Sequence, residues 1–234
     1  MKTFALRAWF LAALFIVLLT RQAAVAQVPA TGSPTGINAA FVKLFGAVNS
    51  FTARVETQMF DPSQKELVRM PMDFAALDDQ VRLEIDLSQA KSKDLTASAL
   101  AGVKQAGMDR VVSVFRPDKK VTYIIYPGVQ SYLILPLAKG DVEALEQGLT
   151  LKKSALGKET VDGHPCVKNK ATVSNAKGPV LEAITWNAAD LKDFPLQIQM
   201  NQKDNKVIMR FSQVRLVKPD AKQFDLPPNY GQMK

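Results

Sequence analysis

The sequence predicts a mainly β chain, α+β in class, built on an antiparallel sheet. Three observations predict it. Apolar and polar residues alternate with period two through run after run, the runs are short and separated by turn residues, and no helical stretch between them has crossover length. Eleven such runs can be counted, and no period of 20–50 residues repeats.

Residues 1–26 read as a secretory signal peptide. Lys2 and Arg7 give a positive start, an apolar run extends from Ala8 to Leu19, and Ala24-Val25-Ala26 supplies small residues for cleavage after Ala26. The apolar run falls short of the roughly 20 residues of a membrane span. No cysteine stands near the cleavage point, so a lipid anchor is excluded on chemical grounds. Residues 27–36, QVPATGSPTG, read as a flexible leader, and residues 37–234 as one domain. The signal carries Lys2, Arg7 and Arg21 and no acid, so its removal takes the formal net charge from +8 to +5 (8 − 3). That mild excess suits solubility and allows transient contact with an anionic membrane surface. Dispersed lysines on an exported chain argue against nucleic acid, and nothing in the sequence speaks to oligomeric state. A single cysteine, Cys166, permits no internal disulfide.

The first element is a short amphipathic helix. Phe41, Leu44, Phe45 and Val48 recur at helical spacing up to about Asn49. The period then changes to two. Phe51, Ala53, Val55 and Met59 share a face in the first strand; Val68, Met70, Met72 and Phe74 do so in the second, and Val81, Leu83, Ile85 and Leu87 in the third. Arg54, Glu56, Asp73, Arg82 and Glu84 lie on the opposite faces, which makes a meander with one dry and one wet side. Residues 92–107 break the pattern. Leu95, Leu100 and Val103 stand among alanines, so this stretch buries little area and suits a mobile lid.

Strands resume at RVVSVFR, KVTYIIYP and SYLILPL, with turns at PDK and PGVQ. KGDVEALEQG is a short helix. Five more runs complete the count: LTLKKSAL, CVKNKATVS, VLEAITW, PLQIQMN and KVIMRFSQVRL. The ending, KPDAKQFDLPPNYGQMK, is rich in proline, which cannot donate to a ladder. It should lie across the sheet, anchored by Phe224, Leu226 and Tyr230.

The dry face holds the candidate ligand-lining residues: Val55, Met59, Met70, Met72, Phe74, Leu83, Ile85, Leu196, Ile198, Met200, Met209 and Phe211. Methionine is unbranched and polarisable and fits partners of irregular shape. The same residues could equally be core filler. His164 and Cys166 sit two apart after the Asp162-Gly163 turn, on the strand face shared with Lys168 and Lys170. A metal site needs more ligands than this pair supplies, and a Cys–His nucleophile needs an orienting group. No metal, cofactor or catalytic residue is therefore assigned, and the chain is read as a binding protein, not an enzyme.

Three phrases carry a family resemblance. LGKETVDGHPCVKNKATV, FRPDKKVTYIIYPGVQSYLILPL and PDAKQFDLPPNYGQM, in that order behind a signal peptide, resemble the LolA/LppX-like periplasmic proteins, the lipoprotein-carrier superfamily. The likeness runs from about Ile37 to the end. It is nearer to a branch of outer-membrane lipoprotein-sorting-like proteins than to LolA itself. It implies an unclosed antiparallel barrel of about eleven strands around an apolar cavity, with short helices as a lid. It also implies a periplasmic location and a lipid, lipoprotein acyl chain or other hydrophobic ligand as the partner. The group has no catalytic motif to carry over, and the residues with which LolA grips lipoproteins have no counterpart placed here. The alternative is an envelope sensor or scaffold that binds proteins through the same half-barrel without a ligand.

Overall fold

The computed structural model describes residues 37–92 and 95–233. The signal peptide and leader expected at residues 1–36 lie outside them. All eleven expected strands form. They are β1 (Ser50–Phe60), β2 (Glu66–Leu77), β3 (Gln80–Asp86), β5 (Arg110–Arg116), β6 (Val121–Tyr126), β7 (Ser131–Pro136), β8 (Thr150–Val161), β9 (His164–Asn175), β10 (Gly178–Ala188), β11 (Phe194–Gln202) and β12 (Asn205–Arg215). Two strands of two residues, β4 (Lys91–Ser92) and β13 (Gly231–Gln232), were too short to read from sequence. Among the described residues three α-helices accompany them: α1 (Ala39–Lys43), α2 (Ala97–Gln105) and α3 (Lys139–Gln147).

One sheet contains every strand among the described residues, in the order β13-β7-β6-β5-β3-β2-β1-β12-β11-β10-β9-β8, with β4 pairing β2 off this path. β13 pairs β7 in parallel; every other pairing is antiparallel. β8 and β13 do not meet, so the sheet curls without closing. The turns are those the residues demand. Asp162 and Gly163 both take positive φ between β8 and β9, and Lys120 and Gln130 end the PDK and PGV turns in the left-handed region.

The concave side carries the main core. The convex side carries a second cluster in which Phe224, Leu226 and Tyr230 pack on Val112, Val114, Tyr123 and Ile125. The C-terminal segment thus crosses the sheet on the anchors its sequence suggested. Arg116, on β5, clamps it: the guanidinium donates to the Phe224 carbonyl at 2.9 Å and to Asp225 at 2.6 Å while Asp118 takes its other edge.

The first helix is shorter than expected. Asn38 caps it, its Oδ1 accepting from the Phe41 N–H at 2.9 Å, but the helix stops at Lys43 and the chain turns through Gly46 at φ +62°. The turn lets Leu44, Phe45 and Val48 drop into the concave side, where all three are buried.

Candidate hydrophobic trough

The concave face of four adjacent strands, β2, β1, β12 and β11, is built in cross-strand layers. In one layer Met59 pairs with Val68 on β2 and Val207 on β12, and Val207 pairs with Met200 on β11. In the next, Thr57 pairs with Met70 and Met209, and Met209 pairs with Ile198. In the third, Val55 pairs with Met72 and Phe211. Paired residues share a face because the side-chain period is two. Leu83 and Ile85 on β3 extend the wall beside Phe74 and Met72. Successive layers are about 7 Å apart along the strands.

All twelve lining candidates therefore belong to one wall. Nine are buried: Val55, Met72, Phe74, Leu83, Ile85, Leu196, Ile198, Met209 and Phe211. Met59, Met70 and Met200 are half-buried against the same cluster. The half-buried residues fall in the first two layers, at the β1–β2 and β11–β12 hairpin end.

The opposite end is filled. Phe45 sits in a cage of rings, with centroids 4.9 Å from Phe51, 5.6 Å from Phe74, 5.6 Å from Phe194 and 5.5 Å from Phe211. Phe41 adds an edge contact to Phe45 at 5.7 Å. The inner end of the enclosure is thus occupied by rings. The segment after α1 supplies the residues that fill it, and rings at these separations pack closely. Between α1, α3 and the β2–β3 hairpin a cavity of about 190 Å³ remains, floored by Phe45, Phe51 and Phe115 and rimmed by Lys43, Asp78 and Asp79. A cavity of about 150 Å³ holds benzene, so this space has room for a ring or a short chain.

No family model and no curated protein matches the sequence. Among solved structures, a LolA superfamily protein from Nitrosomonas europaea is similar at 12% identity, with 81% of this chain and 98% of that chain covered and a TM-score of 0.41. The lipoprotein LppX from Mycobacterium tuberculosis is similar at 11% identity, with 74% and 92% covered and a TM-score of 0.37. MucB in complex with MucA(peri) is similar at 14% identity, with 80% and 59% covered and a TM-score of 0.37.

The expected lid is α2 and its flank. Leu95, Leu100 and Val103 are each half-buried, no residue of the helix is buried, and the helix packs on the Leu87–Gln89 turn. Leu87 in turn packs against the trough cluster. The helix is tied at its C-terminal end, where Gly107 and Gly128 approach so closely that a Cβ on Gly128 would stand 2.3 Å from the Gly107 carbonyl oxygen.

His164 and Cys166 lie on one face of β9, and the Ala189–Leu191 turn covers that face at Cys166. Cys166 is 3% exposed, paired with the buried Ala188 and overlaid by the Ala189–Leu191 turn. Burial pushes its thiol pKa up, away from reactivity. His164 is half-exposed and its Nδ1 lies 2.7 Å from Asp190 on that turn. Lys168 pairs with Glu159 at 2.9 Å and stands 4.9 Å over the Trp186 ring. Among the described residues no group of three or more His, Cys, Asp or Glu side chains could hold a metal, and no helix is long and apolar enough to cross a membrane.

Two features of the trough escaped the sequence reading. One is that Phe45 plugs it, although the apolar stripe of α1 was visible. The other is Thr57, the one polar side chain in the methionine layers.

Proposed function

We propose that this protein binds the acyl portion of a lipid or lipidated protein along its concave wall, without catalysis, after export to the periplasm. The observation that carries the reading is the continuity of the half-buried Met59, Met70 and Met200 with the buried wall of Val55, Met72, Ile198 and Met209. A half-exposed methionine layer is poor solubility design and good ligand design: it adapts to an irregular alkyl surface. A sixteen-carbon chain withdrawn from water is worth roughly 12 kcal/mol gross, and no bond has to be made or broken. The ligand would lie on the methionine layers and extend inward as the segment carrying Phe45 withdraws, with α2 as the lid.

A second reading has its own support. The filled aromatic end suits a scaffold that binds envelope proteins and holds no lipid. Protein purified from a periplasmic extract, denatured and extracted into solvent, separates the two. Stoichiometric acyl lipid supports the carrier; a lipid-free extract leaves the scaffold.

A further inference from the structure

The methionine layers are apolar except at one point. Thr57 sits at their centre, between Met70 and Met209 across the ladder and between Val55 and Met59 along its own face. Its Oγ1 is buried and has no hydrogen-bond partner among the described residues. Buried hydroxyls are ordinarily satisfied, and this molecule follows that rule elsewhere: Thr185, fully buried, donates to Asn187 Oδ1 at 2.7 Å. Valine has nearly the same shape as threonine and suits a strand better. A threonine here leaves an enclosed hydroxyl unpaired directly beneath the half-buried methionines, where an acyl chain that parts them would meet it. An unpaired buried hydroxyl in a native wall calls for an explanation.

We infer that Thr57 is the specificity contact of the trough: its hydroxyl donates to the carbonyl oxygen of an acyl ligand whose chain lies on Met59, Met70 and Met209. This rests on the acyl-binding reading above and narrows it. The ligand class becomes an ester or amide of a fatty acid, not a plain hydrocarbon. Thr122 provides the contrast. Its hydroxyl is also unpartnered among the described residues, but it is 2% exposed, between Phe115 and Leu135 across the ladder, with no half-buried methionine layer around it. It is assigned no ligand.

The test displaces N-phenyl-1-naphthylamine with methyl dodecanoate, with N-methyldodecanamide and with tridecane. The wild-type protein should prefer the carbonyl probes over the hydrocarbon by about fivefold or more. Thr57→Val should bring the three within about twofold while raising Tm, because an unpaired hydroxyl is removed. Thr57→Ser should keep the preference. Thr122→Val should raise Tm and leave the preference intact. A stronger response to the ester points to a lipid, and to the amide an N-acylated chain; either supports the assignment. Equal displacement by all three probes in the wild type, or a preference that survives Thr57→Val, overturns the role of Thr57 while leaving acyl binding standing. Failure of every probe to displace the dye overturns both.

Discussion

The ring of Phe45, on the turn after α1, meets the ring of Phe211, on β12, edge to face with centroids 5.5 Å apart. One residue near the start of the described chain is thereby locked against a strand near its other end. The same ring touches Phe51, Phe74 and Phe194, so its removal empties the centre of a five-ring cluster. Phe45→Ala should cost about 3–5 kcal/mol of stability, measured by denaturant unfolding. It should also raise the affinity for an acyl probe, because it vacates the inner trough. A loss of stability with unchanged affinity would make Phe45 plain core.

The Gly107–Gly128 crossing holds the end of the proposed lid. Gly128→Ala places a methyl against backbone that cannot move aside, and should destabilise the chain by about 1–3 kcal/mol. Gly102, inside α2, has open space around it, so Gly102→Ala should stabilise the helix by about 0.5–1 kcal/mol. Hydrogen exchange reads both: α2 amides should exchange faster in the first variant and slower in the second. The reverse order would remove the crossing as the lid's anchor.

The clamp on the C-terminal segment is pH-dependent. Arg116 beside Asp118 and Asp225 holds both carboxyls below the usual aspartate range. A depressed folded-state pKa contributes stability that is present above the unfolded value, about 3.9, and is lost as pH falls through the folded value. Limited proteolysis after Arg215 should therefore stay slow near neutrality and accelerate as pH drops below about 4. Arg116→Met should make it fast at every pH, and an unchanged pH profile in that variant would refute the clamp.

Cys166 is the chain's only thiol and is enclosed. With its pKa raised by burial, it should resist a thiol reagent at pH 8 in the folded protein and react within minutes once unfolded. Rapid labelling of the native form would mean that the Ala189–Leu191 turn opens readily.

The strands were legible because each needs only local alternation. Val68, Met70, Met72 and Phe74 all face inward as their spacing requires, and the Asp162-Gly163 turn states its own conformation. The tail anchors were legible because proline excludes a ladder. The burial of Cys166 was not, since parity gives only the face it shares with Lys168 and Lys170 and the turn that covers it lies more than twenty residues downstream. The filling of the trough was not legible either. An amphipathic stripe at Phe41, Leu44 and Phe45 says that these residues are buried, not that they enter the enclosure the strands build. Thr57 passed as a neutral strand residue because threonine favours strands whether or not its hydroxyl finds a partner.

The central claim is an acyl chain bound on the methionine layers. The direct measurement is a titration of lipid-stripped protein with a fluorescent sixteen-carbon acyl probe, in the wild type and in Met70→Lys and Met200→Lys. The account predicts saturable one-to-one binding, competed by unlabelled chain, that falls at least tenfold in each lysine variant while both stay folded. Absence of saturable binding, or binding indifferent to a charge placed in the trough, would contradict it.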